Sequence, residues 1–78
     1  MPRFHFHVRD NDSLLEDLEG ADFLDLDAAR ADAVAASREI LAERIKAGLL
    51  LGGLRFEIHD EAGRPVATVP IRDAALPA

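Results

Sequence analysis

Three histidines stand where imidazole chemistry could be done. His5 and His7 lie two residues apart in Arg3-Phe4-His5-Phe6-His7-Val8, and His59 closes Leu54-Arg55-Phe56-Glu57-Ile58-His59. Both segments alternate polar with apolar residues. Successive side chains of a strand point to opposite faces, so His5 and His7 share a face, as do Arg55, Glu57 and His59. If the two strands are neighbours, same-face groups are about 7 Å apart along each strand and about 4.8 Å apart across the pair. His5, His7 and His59, or Glu57 in place of one, could then converge on Zn²⁺ as three ligands with an open position for an activated water. The plainer expectation is a polar sheet face on which His7 and Glu57 form a cross-strand ion pair.

Other chemistry finds little support. Asp10-Asn11-Asp12 resembles the opening of a calcium loop, but Leu14 and Leu15 stand where a third oxygen ligand and a glycine are needed. Ser13 and Ser37 are the only serines, and neither has a motif that activates a nucleophile. Gly48 and Gly52-Gly53 lack the lysine spacing and the following helix of a phosphate loop. No catalytic residue is assigned.

The elements that must position the histidines are legible. Phe4, Phe6 and Val8 form the core face of a first strand, and Leu54, Phe56 and Ile58 that of a third. Arg9-Asp10-Asn11-Asp12-Ser13 is a turn cluster, after which Leu14–Asp17 returns as a short second strand with Leu14 inward. Asp25 caps a helix that runs without Gly or Pro to Ala47 and stops at Gly48. At 100° per residue its buried stripe is Leu26, Ala29, Ala33, Ser37, Ile40 and Leu41, with Val34 on the flank. Asp60–Arg64 is a hairpin loop with Gly63 suited to positive φ, and a fourth strand covers Val66–Ile71 with Ala67, Val69 and Ile71 inward. Residues 72–78 read as a frayed tail.

The chain has 78 residues and a formal net charge of −6. It has room for one domain, residues 1–78, and one modest core. Without cysteine it can form neither a disulfide nor a thiolate zinc site. Eight carboxylates and no base lie between Asp10 and Asp27, and the nine Lys and Arg residues are scattered, which argues against nucleic acid as the partner. No run approaches membrane-spanning length and no apolar signal region precedes the first strand, so a cytoplasmic protein is expected.

Several segments together resemble the domain-of-unknown-function 6894 family, common in alphaproteobacteria. They are Pro2–Asp10, Glu19-Gly20, Leu26–Ala31, Arg38–Ala42, Arg55–Ile58 and Asp60–Arg64. His7 matches the family's histidine, whereas an aromatic usually stands where His5 is found. The resemblance implies no established activity, cofactor or catalytic residue, so it transfers no site.

The expected fold is an α+β domain of ββαββ order. Its four-stranded antiparallel sheet has strand order 2-1-3-4, with one long helix on one face. Pro65 and Pro70 put the fourth strand at an edge. The helix, at about 33 Å, outruns strands of about 20 Å. Ile45, Leu49, Leu50 and Leu51 therefore form an apolar overhang, which either plugs the core or meets a partner. The open sheet face is a second candidate surface, where Leu15 or Val66 would favour pairing. The functional expectation is a small binding or interaction module, homodimeric or bound to another protein, with no cofactor. The alternative is a zinc-binding protein or metallohydrolase built on His5, His7, His59 and Glu57.

Overall fold

The computed structural model describes residues 1–49 and 53–75. The first strand, β1 (Arg3–Asp10), turns at Asn11, whose φ of 56° is a left-handed conformation that asparagine tolerates, into β2 (Ser13–Leu15). A two-residue strand, β3 (Ala21–Asp22), follows, and then the helix α1 (Leu26–Ala47). The last strands are β4 (Arg55–His59) and β5 (Pro65–Pro70), and a 3-10 helix (Ile71–Ala75) closes the described chain. The sheet order is β2-β1-β4-β5, all neighbours antiparallel, with β3 pairing a separate stretch of β1.

The helix obeys its local signals. The Asp25 side chain accepts from the Ala28 amide, Asp27 lies in the first turn, and Gly48 ends the helix at φ 70° with its amide turned back on the last carbonyls. Ala29, Ala33, Ser37 and Leu41 are buried, and Leu26, Val34 and Ile40 pack beside them. The alanines let the helix backbone approach the sheet, and the buried Ser37 hydroxyl donates to the Ala33 carbonyl at 2.7 Å. From the sheet, Phe4, Phe56, Ile58 and Val69 complete the core, with Phe6, Val8 and Ala67 partly buried. Phe23, just before the helix, stacks on Phe6 with ring centroids 5.4 Å apart.

Four expectations need correction. The second strand ends at Leu15 rather than Asp17, and the chain pairs with β1 again at Ala21–Asp22, where the Asp22 carboxylate accepts from the Arg3 guanidinium at 3.0 Å. A two-residue strand is too short to show a periodicity. Leu14 sits opposite Arg9 on the open face, not in the core. Leu15, opposite Val8, is on the helix side yet 72% exposed, because α1 packs toward β5 and the 3-10 helix rather than over β2. Residues 72–75 are not frayed: Ile71, inward as expected but past the end of β5, opens a 3-10 helix in which Ala74, three residues on, buries the same side, and the Ala74 carbonyl accepts from Arg38 Nε at 3.4 Å. Residues 76–78 lie outside the described residues. Among those described, no helix is long and apolar enough to cross a membrane.

Candidate functional site

The register of β1 against β4 sets out the face opposite the helix. His5 faces His59, His7 faces Glu57, and Arg9 faces Arg55; Thr68 of β5 lies beyond Glu57. The three histidines do come together. The His5 and His7 rings are nearly parallel with centroids 6.1 Å apart, and His7 meets His59 edge-on at 4.5 Å.

What holds His5 and His7 is Asp17, in the segment between β2 and β3. Its carboxylate accepts from the Phe6 amide at 3.0 Å and the Gly20 amide at 3.2 Å. It thereby takes the place of a strand partner at Phe6, between the stretches of β1 paired to β2 and β3. Its main chain holds the imidazoles. The Asp17 amide donates to His7 Nδ1 at 2.9 Å, and the Asp17 carbonyl lies 2.8 Å from His5 Nδ1.

These two contacts dictate opposite tautomers. A carbonyl can only accept, so His5 carries its proton on Nδ1 and presents a lone pair at Nε2. An amide can only donate, so neutral His7 has a bare Nδ1 and carries its proton on Nε2. Among the described residues no buried side-chain nitrogen or oxygen lacks a partner, so both Nε2 atoms, which have none among those residues, reach solvent. The face therefore offers an acceptor and a donor side by side. For His7 to ligate a metal through Nε2, its proton would have to move to Nδ1, against the Asp17 amide. Among the described residues no group of three or more His, Asp or Glu side chains is placed to hold a metal ion.

The expected His7–Glu57 ion pair does not form, although the two residues are directly opposite. The Glu57 carboxylate instead takes Arg9 Nε at 3.0 Å and Arg55 at 3.5 Å, because two guanidiniums flank it on the next row. The hydrogen bond from Arg9 is the main reason its carboxyl stays below the usual carboxylate range; burial opposes this, and the charges of Arg9 and Arg55 reinforce it. His7 is pushed down from the ordinary imidazole value, chiefly by burial and then by the neighbouring His59.

For Asp17, burial favours the neutral acid, but the Phe6 and Gly20 amides, with the charges of His5 and His7, together outweigh it and the carboxyl is held low. A depressed folded value means stability that is complete above about pH 4 and lost as pH falls through that folded value. Asp17→Ala should cost about 1–3 kcal/mol at neutral pH, since it strands two amides. It should also flatten the acid limb of a stability–pH profile, and an unaltered limb would mean that another carboxylate controls it.

Asp17 was not singled out from the sequence. The signal available was Asp17-Leu18-Glu19-Gly20, an aspartate three residues before a glycine whose amide it can accept. Ile45 and Leu49 of the expected interaction surface are 69% and 58% exposed, so these two do not plug the core. Leu50 and Leu51 lie outside the described residues. Val66 shares the open face with Thr68, whereas Leu15 does not.

The chain belongs to the family described as Domain of unknown function (DUF6894), whose model matches residues 3–72. No curated protein and no solved structure matches it.

Proposed function

We propose that this member of the family is a small binding module that acts by self-association, a homodimer joined around the C-terminal end of α1. One observation carries the reading. Leu41 and Ile45 stand one turn apart on the same side of the helix, and their exposure rises from 5% to 69%; Leu49, just past the Gly48 cap, is 58% exposed. Apolar side chains thus continue past the point where the core ends, one turn along the helix at Ile45 and again beyond its cap at Leu49. A side chain the size of Ile or Leu contributes about 1.5–3 kcal/mol when removed from water, which a second copy of this end can supply. A two-fold contact would bring these side chains against their own copies.

Light scattering coupled to size exclusion should give the wild type the mass of two copies rather than the 8.5 kDa of one. Ile45→Glu and Leu49→Glu should each yield a folded monomer, because the charge lies outside the core and strikes only the contact. A wild type that is monomeric at the highest accessible concentration would end the proposal. A dimer untouched by both substitutions would move the contact to another surface.

A further inference from the structure

We infer that protonation of His7 opens the Asp17 segment, so that residues 16–20 form an acid-released clasp on the outer edge of β1. The geometry leaves protonated His7 no way to stay where it is. Its second proton would enter at Nδ1, the atom now accepting from the Asp17 amide at 2.9 Å, and two N–H groups would point at each other.

The consequence spreads because Asp17 makes four contacts at once. If its main chain withdraws from His7, the Asp17 carbonyl leaves His5 Nδ1, and the carboxylate leaves the amides of Phe6 and Gly20. Beyond these contacts, the Arg3 guanidinium donates to the Glu19 carbonyl at 3.1 Å. Leu18 is exposed, and the flanking strands β2 and β3 are three and two residues long. Opening bares the Phe6 amide, on the stretch of β1 that neither β2 nor β3 covers.

The groups around His7 set the direction. On its own strand stand His5 and Arg9; from the segment come Glu16 and Asp17. From β4 come Glu57 and His59, with Arg55 beyond, and Thr68 of β5 carries no charge. Burial and the imidazoles of His59 and His5 disfavour the proton, and together they outweigh Glu16 and Asp17, which favour it; Glu57 is already committed to Arg9 and Arg55. A base held below its ordinary value when the clasp is closed gives full closure above about pH 6.5. Closure weakens as pH falls from there toward the closed-state value.

Ring-nitrogen NMR of the whole protein at pH 7.5 should show His5 as the Nδ1–H tautomer and His7 as the Nε2–H tautomer. Amide hydrogen exchange of Asp17 and Phe6, corrected for the intrinsic rate at each pH, should lose protection by about tenfold per unit below about pH 6.5, in step with the His7 titration. Helix amides such as Ser37 should hold theirs. His7→Phe removes the titrating group, and its Asp17 and Phe6 amides should show no such pH dependence. A His7 Nδ1–H tautomer at neutral pH, or protection at Phe6 that persists while His7 protonates, overturns the inference. So does an unchanged pH dependence in His7→Phe.

Discussion

Ile58→Ala is expected to lower unfolding stability by about 2–5 kcal/mol, the usual range for truncating an isoleucine in a closed core. Ile58 is fully buried, on the strand with neighbours on both sides, opposite Phe6 of β1 and Ala67 of β5. Three of the four buried helix residues, Ala29, Ala33 and Ser37, are too small to reach into the space left behind. The cavity therefore persists instead of collapsing. A chain of this size has roughly 4–12 kcal/mol of total stability, so the variant sits near or past the edge of folding. Ile58→Val keeps the branching and should cost only about 0.5–1.5 kcal/mol. Urea unfolding followed by far-ultraviolet circular dichroism is the suitable measurement, since the chain has neither Trp nor Tyr to report by fluorescence. An alanine variant within 1 kcal/mol of wild type, as expected for an exposed site, would mean that the core is centred elsewhere.

Gly20→Ala should be the most costly of three matched glycine substitutions, and the comparison separates two causes. Gly20, Gly48 and Gly63 all have positive φ, at 70°, 70° and 82°. Each alanine therefore carries the left-handed cost of roughly 1–2 kcal/mol. At Gly48 and Gly63 a Cβ would meet nothing within 4 Å. At Gly20 it would lie 2.8 Å from the Phe4 carbonyl oxygen and 2.9 Å and 3.0 Å from His5 Cε1 and Nδ1. The carbonyl belongs to a paired strand and cannot swing away cheaply, so the His5 ring or the whole segment must move. The excess of Gly20→Ala over Gly48→Ala measures that contact. It should exceed 1 kcal/mol, comparable with other overpacking substitutions, and be accompanied by a shift of the His5 ring resonances. Equal costs at the two positions would show that Gly20 is set only by its φ and that His5 has room to spare.

These two sites differ in how far the sequence led to them. The core position of Ile58 follows from the alternation of Leu54, Phe56 and Ile58, and the order of the four longer strands follows from Pro65 and Pro70 and from the single helix crossing. Gly20 was legible only as a chain breaker. Its role as the space beside His5 depends on a contact between residues fifteen positions apart. The histidine face was correctly assembled from the period-two pattern, yet the partners of its side chains were not. Opposition across strands suggested His7 with Glu57, but Arg9 and Arg55 reach the same carboxylate from the neighbouring row and carry a full charge, which neutral His7 does not. The burial of Ala74 was not legible because it follows Ile71 through a 3-10 spacing, and one turn of that kind leaves no repeat to detect.

The sequence by itself determined the helix from cap to cap, the two hairpins, the inward residues of β1, β4 and β5, and the antiparallel order. The helix, hairpins and inward residues rest on hydrogen bonds or side-chain alternation within a few residues of the chain, and the order on two prolines that exclude a central position and one helix that reverses the chain. Only the tertiary structure decided what Asp17 does, which tautomer each of His5 and His7 adopts, and where β3 joins the sheet. Those outcomes are fixed by which donor meets which acceptor after the chain has folded back over 10 to 19 residues. Residue type alone gives both ring nitrogens of a histidine equal claim to the proton; a single amide or carbonyl placed against one of them settles the matter.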